Sequence, residues 1–132
     1  MSTMDLDSVP PNTKATILLV EDDDNFRELI RRSLEKGGYV VYEARNGRDG
    51  VEVFDRHRAD IQIVVSDVRM PVMDGVDLLL YIRSVSPRVP FVMMTGYADK
   101  IEARSAIRMG AMEFLLKPFG LSSFNGAISR WL

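Results

Sequence analysis

Short apolar runs alternate along this chain with stretches that are apolar on one side only, and that alternation predicts the architecture. Residues 15–20 (ATILLV) are apolar almost without interruption, as in a strand covered on both faces. Asp24 is placed to cap a helix carrying Phe26, Leu29, Ile30 and Leu34 on one side, ended by Gly37 and Gly38. Residues 39–44 (YVVYEA) read as a second strand and Asn46-Gly47 as a turn; Val51, Val53 and Phe54 mark a helix weakened by Gly50. A third strand covers 61–66 and ends at Asp67. Then come a helix over 76–85 (Val76, Leu79, Leu80 and Ile82 apolar, Pro87 just beyond) and a fourth strand over 91–94. A helix over 99–109 is stopped by Gly110, a fifth strand covers 112–116, and Asn125 and Gly126 weaken a last helix over 121–131. Five strands alternating with five helices predict an α/β domain with a mostly parallel sheet and helices on both faces.

Composition narrows the class. With 132 residues, 46% hydrophobic and 27% charged, the chain is one globular domain's worth. Residues 1–14, polar and with a Pro-Pro pair, predict a disordered leader, leaving 15–132 as the domain. The absence of cysteine excludes disulfides and thiolate chemistry, and a net charge of -2 offers no basic field for nucleic acid. No apolar run approaches the ~20 residues of a membrane helix, and the first residues lack the pattern of a secretory signal. A cytoplasmic domain is expected.

In an open parallel sheet the functional crevice lies at the carboxyl ends of the strands. The first strand ends in Glu21, Asp22, Asp23 and Asp24, the third in Asp67, the fourth in Thr95 and the fifth in Lys117-Pro118. Clustered carboxylates repel unless a cation intervenes. Glu21, Asp22 and Asp67 supply the hard oxygens that suit Mg²⁺, and Lys117 and Thr95 could meet phosphoryl oxygens. A carboxylate opposite a lysine is also a plausible nucleophile toward phosphorus. Asp23 and Asp24 read more simply as favourable charge at a helix start.

Four segments, residues 17–23 (ILLVEDD), 66–75 (SDVRMPVMDG), 94–96 (MTG) and 110–119 (GAMEFLLKPF), together resemble the receiver domain of two-component response regulators. The resemblance covers about residues 15–132 and implies a single flavodoxin-like, doubly wound (βα)5 domain with strand order 2-1-3-4-5. It implies that Asp67 accepts a phosphoryl group from a sensor histidine kinase or phosphotransfer protein. Mg²⁺ would be held by Asp22, by Asp67, by Glu21 partly through water and by the backbone carbonyl of Arg69. Lys117 would contact the phosphoryl group, and its bond to Pro118 resembles the family's cis peptide. Thr95 and Phe114 match the family's switch pair, biasing the surface of the fourth helix, fifth strand and fifth helix, where a phosphorylation-dependent dimer would form. Phe114 is equally readable as a plain core aromatic. Arg69 and Tyr97 occupy positions that tune the phosphoryl lifetime, although Arg69 could instead pair with Glu21 or point to solvent.

Other residues take plainer readings. His57 is expected at the surface, Arg27, Arg31 and Arg32 on a solvated helix face (or offered to a kinase), Trp131 at a core rim, and the strand methionines as gap-filling core. Three rival functions stand beside the switch. A haloacid-dehalogenase-like phosphohydrolase wants a second Asp two residues after its nucleophile, where Arg69 stands. A flavodoxin wants a glycine- and hydroxyl-rich first loop, where the acidic run stands. A pseudo-receiver would have lost acceptor positions that are all present here. The expected module takes up its own phosphoryl group and turns over no separate substrate.

Overall fold

The uninterrupted apolar runs are strands because helices cover both sides of them. The computed structural model describes residues 14–96, 107–117 and 119–132. Its strands are β1 (Thr16–Val20), β2 (Val40–Ala44), β3 (Ile63–Asp67), β4 (Phe91–Thr95) and β5 (Glu113–Leu116), all parallel, in the order β2-β1-β3-β4-β5. The helices are α1 (Asp24–Lys36), α2 (Gly47–His57), α3 (Gly75–Val85) and α4 (Leu121–Arg130). The helix expected over 99–109 falls largely outside the described residues; Ile107 and Arg108 at its end are helical, and Gly110 follows with a φ of 109°. The expected leader falls outside too, except Lys14, whose amide already donates to the Gly38 carbonyl at 3.0 Å.

Alternate residues of each strand feed opposite layers. Ile17, Leu19, Ile63, Val65, Val92 and Met94 pack with Ile30 and Leu34 of α1 and Phe124 and Ile128 of α4. Leu18, Val20, Val64 and Met93 pack on the other side with Phe54 of α2 and Leu78, Leu79 and Ile82 of α3. The three inner strands are buried throughout, while β2 and β5 keep partly exposed edges. Gly50 gains a reason here: an added Cβ would stand 3.2 Å from Leu78 and 3.3 Å from Val20, so the residue that weakens the helix also lets it approach the sheet.

Local details differ from expectation. Asp23, not Asp24, caps α1: it is extended (φ -77°, ψ 111°) and accepts the Phe26 amide at 3.0 Å, while Asp24 is already helical. Asn46 is the cap of α2, accepting the Asp49 amide at 2.9 Å, and not merely a turn residue. Leu29 and Leu80 are half exposed, because the buried stripe of each helix runs through its neighbours Ile30 and Leu79.

Candidate functional site

Parallel register brings the acidic groups together. Val20 pairs with Ser66 across β1 and β3, so Glu21 and Asp67, each one residue further, end level on adjacent strands. The connection from β1 turns to one side of the sheet and β3 lies on the other, which opens the crevice there. Carboxylate oxygens of Glu21, Asp22 and Asp67 lie within 4.8 Å of one another. Glu21 is 1% exposed and Asp67 7%, while Asp22 faces solvent.

The Lys117 ammonium sits between the two buried acids, 2.7 Å from Glu21 Oε1 and 3.1 Å from Asp67 Oδ2. The remaining oxygens also have donors: the Asp23 amide reaches Glu21 Oε2 at 3.0 Å and the Val68 amide reaches Asp67 Oδ1 at 2.8 Å. Burial pushes the Glu21 carboxyl up to about 7, with the Asp67 charge adding to the rise, against the pull of Lys117 and the Asp23 amide. Burial alone would lower the lysine, but the two carboxylates outweigh it and hold its pKa above the usual value. Lys117 supplies a single positive charge beside three clustered carboxyl groups. The hard-oxygen donor set and the charge left over are what a divalent cation fits.

Thr95 is 1% exposed at the end of β4, and its carbonyl accepts the Lys117 amide at 2.6 Å. Thr95 pairs with Leu116 and Met93 with Phe114, so Thr95 and Phe114 share one face of the sheet a single step apart. Phe114 is half-buried against the layer that holds Phe91 and Met93. Arg69 is exposed on the loop after β3. Tyr97 and Pro118 lie outside the described residues. His57, expected at the surface, is half-buried and stacks on Tyr42 with centroids 3.9 Å apart.

Residues 17–129 match the family described as the response regulator receiver domain. The chain belongs to that family. Regulatory protein AtoC of Escherichia coli K12 is 38% identical over 118 residues, covering 88% of this chain and 25% of that protein. Sensor kinase CckA of Brucella abortus is 39% identical over 118 residues, covering 89% of this chain and 12% of that protein. The receiver domain thus spans a quarter or less of these curated relatives. Among solved structures, a receiver domain protein from Clostridium thermocellum superposes with a TM-score of 0.81 at 31% identity, covering 88% of this chain and 95% of that one. The receiver domain of NtrX from Brucella abortus does so at 0.82 and 30%, covering 88% and 97%.

Three features of the receiver's site were not read from the sequence. Arg27 is no solvated cation: its side chain is 14% exposed, donates to the Glu21 carbonyl at 2.8 Å and pairs with Asp24 and Glu43. Arg31 likewise pairs with Glu28, Glu35 and Glu43, and Arg32 remains the exposed member at 71%. Gly75, the first residue of α3, lies so close to the Asp67 backbone that an added Cβ would stand 2.0 Å from its carbonyl oxygen. Phe26 presents its ring to Lys117, with the ammonium 4.3 Å from the centroid. An aromatic three residues after a capping Asp was the signal available for the last of these.

Proposed function

We propose that this receiver domain is a phosphoacceptor switch in which Asp67 takes the phosphoryl group of a phosphohistidine on a sensor histidine kinase or phosphotransfer protein, in the cytoplasm. The observation that carries the reading is the half-buried Lys117 ammonium bonded to both Glu21 and Asp67 beside the exposed Asp22. In the transfer an Asp67 carboxylate oxygen forms the new O–P bond as the N–P bond breaks, and the imidazole released takes up a proton. Asp22, Asp67, Glu21 through water and the Arg69 carbonyl would hold Mg²⁺, which supplies positive charge to the transferring phosphoryl oxygens. Lys117 turns from a carboxylate to a phosphoryl oxygen, and the Thr95 hydroxyl meets another. The movement of Thr95 opens room on the face it shares with Phe114, whose ring turns inward and alters the surface beside β5. The domain catalyses its own phosphorylation and dephosphorylation and turns over no separate substrate.

Asp67→Asn is expected to abolish acid-labile labelling by a small phosphodonor with Mg²⁺, and chelation to suppress it in the unaltered protein. Full labelling of the variant would place the acceptor elsewhere. By their positions in the receiver pattern Arg69 and Tyr97 tune the phosphoryl lifetime, so Arg69→Ala with Tyr97→Ala should shorten the phosphoprotein's lifetime several-fold; decay at the unaltered rate refutes that role.

A further inference from the structure

We propose that Phe26 is a positioning residue for Lys117, its ring face holding the ammonium between Glu21 and Asp67. An ammonium has three N–H groups, and its four-carbon stem makes any single pose entropically costly. Two of the three directions are taken by Glu21 Oε1 at 2.7 Å and Asp67 Oδ2 at 3.1 Å. The ammonium also lies over the Phe26 ring, 4.3 Å from its centroid and inside the ~6 Å over which a ring's negative face attracts a cation. The lysine side chain is only 20% exposed, so this attraction acts with little competing water.

The ring is itself held in place. Its backbone amide donates to the capping Asp23 at 3.0 Å, which sets the start of α1 beneath the acidic loop. It packs edge-to-face with Phe119 at a centroid distance of 5.9 Å and 65°, and Phe119 stacks on Phe124 at 5.3 Å and 13°. Phe124 is fully buried in α4, so the array is anchored in the core. An uncharged ring suits this place for a chemical reason. It keeps the ammonium in position yet does not compete for the N–H that must pass from a carboxylate to a phosphoryl oxygen. A third carboxylate there would hold the lysine too firmly, and water would let it swing away.

The proposal rests on Lys117 contacting the phosphoryl group, and the test separates the two claims. Phe26 is replaced by Leu, by Tyr and by trifluorophenylalanine, which keeps shape and apolarity but removes the negative ring face. Phosphorylation rates from acetyl phosphate at fixed Mg²⁺, thermal midpoints and the proton shifts of the Lys117 ε-methylene are measured, with Lys117→Met in parallel. The expected result is a roughly fivefold slower reaction for Leu and for the fluorinated ring, the rate equivalent of about 1 kcal/mol, with Tyr near the unaltered rate. The fluorinated variant should keep its thermal midpoint. The ε-methylene protons should show an upfield ring-current shift that Phe26→Leu removes. Unaltered rates in the Leu and fluorinated variants, slowing by Leu alone, or no ring-current shift in the unaltered protein would overturn the role of Phe26. Unaltered phosphorylation of Lys117→Met would instead overturn the reading of the lysine.

Discussion

Replacing Gly75 with Ala tests whether the acceptor is positioned by the packing of α3. The amide of Gly75 donates to the Val68 carbonyl at 2.8 Å, fixing the helix start against the residue after Asp67. An added Cβ would stand 2.0 Å from the Asp67 carbonyl oxygen, 3.0 Å from its carbon and 3.1 Å from Ser66 Oγ, whereas real Cβ atoms essentially never come under 3.0 Å. Something must therefore move by about 1 Å, in a region packed like a molecular crystal. If α3 retreats, it loosens Leu78, Leu79 and Ile82, all fully buried. If the Asp67 peptide turns, it strains the bond from the Val68 amide to the Met94 carbonyl, now 2.9 Å, and carries the carboxylate with it. Overpacking of this kind costs roughly 2 kcal/mol, or about 8 °C in thermal midpoint for a domain of this size. A reacting group displaced by about 1 Å loses on the order of a hundredfold in rate. Gly75→Ala should thus melt earlier and phosphorylate from acetyl phosphate about a hundred times more slowly at fixed Mg²⁺. An unaltered midpoint together with an unaltered rate would refute the argument; a lower midpoint with an unaltered rate would show that the helix yields and the acceptor does not.

Val72 is a β-branched residue at a φ of 70°, exposed at 72%, so Val72→Asn should stabilise the fold by about 1 kcal/mol, and a midpoint unchanged or lowered would count against strain there. Burial raises the Glu113 carboxyl, but hydrogen bonds from Arg130 and Trp131 and the Arg130 charge outweigh it and leave the group below its ordinary value. Its contribution, at most about 1 kcal/mol, is complete above the ordinary glutamate range and lost as pH falls below it; Glu113→Gln should flatten that acid limb of a denaturation series. Arg27→Met, which removes the donor to the Glu21 carbonyl and the cation paired with Asp24 and leaves Glu43 to Arg31, should slow phosphorylation and weaken Mg²⁺ binding in titration, and unchanged values for both would confine Arg27 to surface pairing.

Element type and order were legible in the sequence because they depend on local pattern. The runs at β1, β3 and β4 are apolar at nearly every position since both faces of an inner strand are covered, and that needs no knowledge of distant residues. The same holds for the concentration of acid after β1 and β3 and of a lysine after β5, since strand ends in such sheets face one crevice. Relations that depend on depth and angle were not legible. Asp22 and Glu21 are neighbours of like chemistry, yet the pleat turns Glu21 into the sheet edge, where burial raises its pKa, and leaves Asp22 in solvent. Arg27 looks like any helix-surface arginine until β2 brings Glu43 beside it. Phe26 reads as one more apolar helix position, and only the tertiary fold, which brings the residue after β5 to the start of α1, sets the Lys117 ammonium on its ring. Local hydropathy thus determines which faces are buried, while the register and crossing of elements far apart in the chain decide which single polar atom meets which.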